Sequence, residues 1–184
     1  MSFSELTLSS PRLHLRPLVL ADAPFLFALR GDPVVQRYGS APPWTELQQA
    51  VDRIGEYQRD MAAGLAVQLA LVRREDDALI GTCTLFHLDA QCRRAEVGYA
   101  LVVGAWGRGY ANEAVVALLD WGFAQLGLNR VEADIDPRNA SSARVLERLG
   151  FVREGHLRER WIVGGEKSDS WIYGLLAGEW RARR

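Results

Sequence analysis

Cysteine and histidine are scarce in this chain. Cys83 and Cys92 stand without a CxxC spacing, and His14, His87 and His156 are scattered, so neither a zinc site nor a disulfide framework is expected. Both thiols read as structural groups of a reduced compartment, and the histidines as surface or strand residues without chemistry. An excess of charge is missing too: 22 basic side chains nearly cancel 23 acidic ones, leaving −1 at neutral pH. Such a balance sets up no large field toward a nucleic-acid backbone or an anionic membrane, and neither partner is expected. The segment Met1 to Thr7 lacks the basic and apolar regions of a secretory signal, and no apolar run is long enough to cross a bilayer; a cytoplasmic protein is expected. Repeats and low-complexity segments are absent, and 184 residues suit one domain, 1–184, with a substantial core.

Periodicity supplies the elements. Arg12 to Pro17 alternates as a half-buried strand. Ala21 to Arg30 reads as a helix capped by Asp22 and stopped at Gly31-Asp-Pro33, and a second helix runs from Thr45 to Ala63, with Gln48 at the reciprocal capping position and Gly64 as its stop. Ala66–Val72 and Leu79–Phe86 form an antiparallel hairpin around the charged turn from Arg73. Ala95 to Val103 is a strand with Ala95, Val97, Tyr99, Leu101 and Val103 on one face and Glu96 and Gly98 on the other. A helix from Ala111 to Gly127, a strand from Arg130 to Ile135 and a helix from Asn139 to Leu149 follow, the strand–helix–strand step implying one parallel pairing. Asn139 suits a helix N-cap and Gly150 a terminator; two last strands, Phe151–Val163 and Lys167–Leu176, join around Gly164-Gly165. The expected fold is α/β, with a mixed, mainly antiparallel sheet flanked by helices.

The chemistry concentrates in Gly104-Ala-Trp-Gly-Arg-Gly-Tyr-Ala111, between a strand and a helix. Missing side chains at Gly104, Gly107 and Gly109 let anionic oxygens approach, and the backbone amides of Gly107, Arg108, Gly109, Tyr110, Ala111 and Asn112 are placed to donate to a phosphate. The Arg108 guanidinium can add charge. A turn that needs glycine for steric reasons alone would look the same. A dinucleotide-binding oxidoreductase competes on Gly107-x-Gly109 with Glu132 and Asp134 downstream, but Asn112 stands where the third fingerprint glycine belongs. No Gly-Lys-Ser/Thr ends the run, which excludes a Walker A loop.

Segments beyond the turn carry a resemblance. Ile80-Gly81, Glu96-Val-Gly-Tyr99, Trp106-Gly-Arg-Gly-Tyr-Ala-Asn-Glu-Ala114, Asn139-x-x-Ser142, Leu149-Gly-Phe151, Glu154-Gly155 and Asp169 stand in the order and spacing of the GNAT acetyltransferase superfamily, and the chain resembles its RimJ/RimL-like branch from Arg12 to Trp180. Trp106 stands where the wider superfamily commonly has Gln or Arg, a feature of that branch.

The resemblance implies transfer of an acetyl group from acetyl-CoA to a primary amine, on a protein N-terminus or a small molecule, by direct attack on the thioester and without a metal. It implies a pantetheine arm paired with main chain at Leu101, Val102 and Val103, and Asn139 either bonding that arm or ordering its helix. Many members donate a proton to the thiolate from a tyrosine at the position of Leu146; here the resemblance gives that role to Ser142, whose alternative is a helix-start serine. Glu96 matches the residue that accepts the amine proton, against a solvated strand glutamate. Asp169 either positions the amine or completes a strand end, and Tyr99 is core or cleft wall. A catalytically silent acyl-CoA-binding module on the same fold is the alternative function, Leu146 its best support. The chain is expected as a monomer or homodimer.

Overall fold

The computed structural model describes residues 1–183. In chain order it contains β1 (Leu8–Ser9), β2 (Leu13–Pro17), α1 (Ala23–Gly31), α2 (Pro33–Gln36), α3 (Leu47–Ala63), β3 (Val67–Arg73), β4 (Leu79–Asp89), β5 (Arg94–Leu101), α4 (Tyr110–Gln125), β6 (Arg130–Ile135), α5 (Ala140–Leu149), β7 (Val152–Val163), β8 (Glu166–Leu176) and α6 (Ala177–Ala182). The strands form one sheet in the order β1-β2-β3-β4-β5-β6-β8-β7, antiparallel throughout except where β5 meets β6. The mixed, mainly antiparallel α/β fold expected from periodicity is therefore present. β1, α2 and α6 were not foreseen, because segments of two to six residues are too short for a period to register.

Local details differ from the sequence reading for identifiable reasons. Asp22 starts α1 but makes no side-chain cap bond to it; its carboxylate instead takes two bonds from Arg16, at 2.7 and 2.9 Å, and one from the Val19 amide at 2.9 Å. Gly31 does end α1, yet the chain turns straight into α2 because Asp32 accepts from the Val34 amide and Pro33 suits a first helical turn. At α3 the N-cap is Glu46 in place of Thr45, and the reciprocal residue is Gln49, whose Oε1 accepts from the Thr45 and Glu46 amides; Gln48 reaches Asp52. Strand β5 stops at Leu101, two residues short of Val103, which enters a single 3₁₀ turn.

The sheet divides the core. One face carries Ala95, Val97, Leu101, Val131, Ala133, Tyr173 and Leu175 against Val115, Leu118 and Leu119 of α4 and Ala143, Leu146 and Leu149 of α5. On the other face α1 and α3 bury Leu26, Ala50 and Ile54 against Leu18 and Ala70. Ala70 pairs with Thr82, and Thr82 with Ala100, so by alternation the even-numbered residues of β5, Glu96 among them, face the α1–α3 side.

The parallel joint sets up the rest. β5 and β6 pair at Arg94–Arg130, Ala95–Val131 and Glu96–Glu132, and no further. Beyond these pairs β5 follows β4 as far as Gly81–Leu101, and β6 follows β8 as far as Ile135–Trp171. A gap opens in the middle of the sheet.

The Arg16–Asp22 pair ties β2 to the entrance of α1, with the Asp22 side chain 6% and Arg16 29% exposed. Asp22→Ala should cost about 2–3 kcal/mol, since it strands a partly buried guanidinium and an amide. The guanidinium and the Val19 amide hold the Asp22 pKa below its ordinary value in spite of burial, the largest opposing influence. A depressed folded-state pKa adds stability above the ordinary carboxylate value and loses it as pH falls through the folded one. Urea titrations at neutral and acid pH should show the wild-type advantage over Asp22→Ala shrinking in acid; an advantage that stays constant contradicts this account.

Candidate functional site

Glu96 is the last residue of β5 paired to β6, and it stands at the base of the gap. Its side chain is 25% exposed and its Oε2 lies 3.1 Å from His87 Nδ1, an imidazole delivered by the irregular end of β4 with φ +51°. Burial pushes the Glu96 carboxyl above its ordinary pKa, and Asp134 and Glu132 push the same way; only the His87 contact opposes them. Glu132 is held by Arg94 at 3.0 Å and Arg130 at 2.8 Å. Glu96 is thus the carboxylate of this group with the weakest cationic support, and a proton acceptor with a raised pKa suits general-base work.

Behind the gap, on the α4–α5 side, Tyr99 and Ser142 meet, their hydroxyl oxygens 2.7 Å apart. Burial raises the Tyr99 phenol to about 12, so it stays protonated and can support the serine hydroxyl. Ser142 sits in the first turn of α5 because Asn139 Oδ1 accepts from its amide at 3.1 Å. Asn139 therefore orders the helix. Leu146, one turn on, is wholly buried; the phenol that a tyrosine there would bring to this helix arrives from β5 instead.

The glycine turn lies at the end of the same strand. Gly107 and Gly109 have φ of +73° and +81°, values that a side chain disfavours, and a methyl group at Gly107 would meet nothing within 4 Å. At Gly107 the conformation, not crowding within the protein, calls for glycine. Gly109 is also the N-cap of α4 and can offer no capping side chain, so the amides of Tyr110, Ala111 and Asn112 remain as helix-end donors. The approach to this end is fixed from both sides. Trp106 Nε1 donates to Leu101 O at 2.8 Å and the Val102 amide to Ile80 O at 3.0 Å. Arg12 donates through Nε to Glu113 at 2.7 Å and through Nη1 to Arg108 O at 3.0 Å, with its guanidinium 4.5 Å from the Tyr110 ring centre. Arg108 itself is exposed.

Glu96 and Ser142 thus lie on opposite faces of the sheet, each beside the stretch of β5 that β6 leaves unpaired, while the glycine turn stands at the far end of β5. His87, Tyr99 and Arg12 join them. The His87–Glu96 contact depends on a left-handed residue that no pattern announced, and Arg12 meets Glu113 across 101 positions of sequence. Tyr99 was more legible, since alternation already set it beside Val97 and Leu101. Asp169 lies elsewhere, accepting from the Glu159 amide at 2.8 Å and lying 2.7 Å from His156 Nε2, where it holds an irregular stretch of β7. Among the described residues no cluster of His, Cys, Asp and Glu has the form of a metal site, and no helix is long and apolar enough to cross a membrane.

A family model for an acetyltransferase (GNAT) domain matches residues 12–152. The chain is similar to an uncharacterized N-acetyltransferase, p20, of Bacillus licheniformis, 38% identical over 174 residues that cover 95% of this chain and 98% of that one. In fold it is similar to a GNAT-family acetyltransferase from Bacillus anthracis, with a TM-score of 0.83 at 24% identity over 95% and 100% of the two chains. It also shares the fold of the Vibrio cholerae spermidine N-acetyltransferase solved with CoA and spermine, with a TM-score of 0.82 at 22% identity over 92% and 98%.

Proposed function

Because the chain belongs to the GNAT acetyltransferase family, we propose that its gap holds the acetyl-CoA thioester between Glu96 on one face of the sheet and Ser142 on the other. The protein is an N-acetyltransferase; the assignment of roles to residues is our reading. The observation that carries it is the placing of Glu96, with its raised pKa, and the Tyr99–Ser142 pair beside the strand edge left unpaired beyond Glu96 and Glu132.

The pyrophosphate of CoA sits on the turn from Gly107 to Asn112, receiving the amides of Gly107, Arg108, Gly109, Tyr110, Ala111 and Asn112, with the Arg108 guanidinium reaching the same anion. Gly107 leaves space where a side chain would stand. The pantetheine arm runs back along the free edge of β5, from Val103 and Val102 past Leu101 toward Val97, and its amides pair with main chain there. The bond from Trp106 to Leu101 O fixes where that edge meets the phosphate turn.

An amine enters from the α1–α3 side as a free base once Glu96, directly or through water, has taken its proton. Nitrogen attacks the thioester carbonyl carbon, the C–N bond forms, and the C–S bond breaks. Ser142, supported by the Tyr99 hydroxyl, gives a proton to the departing sulfur. The products are an N-acetyl amide, CoA thiol and one proton: of the two protons that an alkylammonium loses, one passes through Glu96 to solvent, and the other, shed by nitrogen as the amide forms, makes good the proton that Ser142 gave to sulfur. Asn139 serves by holding the start of α5, and so Ser142, in position. The acceptor is a primary amine of a small molecule or a protein N-terminus.

The test is thiol release from acetyl-CoA with a panel of amines; CoA binding without amine-dependent release would favour the silent binding module. Glu96→Gln should lower kcat/KM about 100-fold at neutral pH, and in the wild type the rate should rise with pH through a raised Glu96 pKa, because the base must be ionised. His87→Ala removes the one contact that favours the ionised form and should move that rising limb to higher pH. A limb that is unchanged in Glu96→Gln rules Glu96 out as the base.

Ser142→Ala should reduce kcat more than it raises the KM for acetyl-CoA, because the hydroxyl acts on the leaving sulfur. Equal acetyl-CoA KM and kcat to the wild type would leave Ser142 as a helix-start residue alone.

A further inference from the structure

The first turn of α4 carries an acid beside the place where an anion is proposed to bind. Glu113 is the fourth residue of the helix that opens on the glycine turn, and its side chain is 14% exposed. A bare carboxylate one helical turn from a phosphate would repel it. This one is taken up by the residues that lead into β2. Its Oε1 accepts from the Ser10 hydroxyl at 2.6 Å and from the Arg12 amide at 2.7 Å, and its Oε2 accepts from Arg12 Nε at 2.7 Å.

Arg12 does more than neutralise that acid. Its Nη1 donates to the Arg108 carbonyl at 3.0 Å, its guanidinium carbon lies 4.5 Å from the centre of the buried Tyr110 ring, and its Nη2 stands 3.4 Å from where a side chain at Gly109 would begin. The guanidinium is therefore fixed by a carboxylate, a carbonyl, a ring and a bare stretch of backbone. The segment that carries it is fixed as well, since the Arg74 amide donates to Arg12 O at 2.9 Å and Arg74 Nη1 to Ser10 O at 3.1 Å. The peptide unit between Arg108 and Gly109 is planar and trans, so its C=O and its N–H point in opposite directions. Drawing the carbonyl to Arg12 turns the Gly109 N–H away from Arg12, and among the described residues that N–H has no acceptor. A donor that the protein orients and leaves unpaired is suited to meet an anion.

We infer that Arg12, locked by Glu113, is a positioning residue for cofactor binding: it presets the Arg108–Gly109 peptide plane before CoA arrives and cancels the charge of the acid beside the site. This rests on the place given to the pyrophosphate in the proposed function and names what sets its affinity. A turn held in its binding geometry spares the ordering that association would otherwise cost. The contacts of Arg12 are with Glu113, Arg108 and Tyr110, not with Glu96 or Ser142. Its effect therefore belongs to the nucleotide half of the cofactor and not to the thioester.

The test compares acetyl-CoA with acetyl-pantetheine, which offers the same thioester without the pyrophosphate and nucleotide. Arg12→Ala should lower the preference for acetyl-CoA, measured as the ratio of the two kcat/KM values, about tenfold, and should do so through the KM for acetyl-CoA and not through kcat. Glu113→Gln keeps the shape of the side chain but gives up the charge that holds Arg12, and should show the same split to a smaller degree. Thermal melts followed by circular dichroism report that each variant is folded; where Arg12→Ala does not fold, the ratio in Glu113→Gln decides. A ratio equal to that of the wild type, or an equal loss with both donors, overturns the proposal. Calorimetric titration of CoA separates this inference from the catalytic roles. Wild-type protein that binds CoA but releases no thiol with any amine defeats those roles, and about tenfold weaker CoA binding by Arg12→Ala then still supports the positioning role. Undiminished CoA binding by a folded Arg12→Ala protein defeats this inference alone.

Discussion

The pairing between β5 and β6 ends after Glu96 and Glu132, and the remaining chemistry depends on that interruption. Each strand is held longer by its outer neighbour than by the other: β5 by β4 up to Leu101, β6 by β8 up to Ile135. Sheet twist then separates them. The antiparallel hairpins on both flanks supply cooperative pairing, while the single parallel joint, reached through α4, needs few bonds because α4 and α5 cover it from below. A sheet that paired fully here would keep Glu96 on one face and Ser142 on the other, with no shared space between them.

Electrostatics give the two faces different characters. The α4–α5 side of the gap presents neutral hydroxyls, Tyr99 and Ser142, with the phenol held protonated by burial. The α1–α3 side presents carboxylates: Glu132 is taken up by Arg94 and Arg130, Asp134 is bordered by Arg160, and Glu96 has the His87 imidazole as its partner. In the proposed reaction this arrangement sets a proton acceptor on the amine side and proton donors on the sulfur side, the polarity that acyl transfer from a thioester to an amine requires. The chain's near-zero net charge thus hides a local separation of roles.

Most of the architecture was legible because long elements announce their period. The alternation from Ala95 to Leu101 set Glu96 opposite Tyr99, Gly164-Gly165 marked a hairpin whose two residues both take positive φ, and Asn139 and Gly150 bounded α5 as caps should. The glycine turn was legible as a turn, and the phosphate role proposed for it came from the company of other segments. What escaped were features made by contacts remote in sequence. Asp22 read as a local cap but is occupied by Arg16, and Thr45 and Gln48 lost their roles to neighbours one residue away. Of the two thiols read as structural, Cys83 is buried, its thiol raised to about 12 by burial, whereas Cys92 is exposed. His87 was set aside as a surface residue, and it is exposed; its importance arises from a left-handed backbone that aims it at Glu96. Asp134 stood out only as an acid downstream of the glycine turn, and Ser170 not at all; both are buried with an unmet hydrogen bond.

The central claim is that one thioester is reached from both faces of the sheet through the gap. A crystal structure of the protein with CoA tests it most directly. The account predicts the pyrophosphate on the Gly107–Asn112 turn, pantetheine along the free edge of β5, and the sulfur in the gap within hydrogen-bond reach of the Ser142 hydroxyl, with Glu96 open on the opposite side. CoA bound wholly on one face, or a β5–β6 edge closed by further pairing with the sulfur elsewhere, would contradict it.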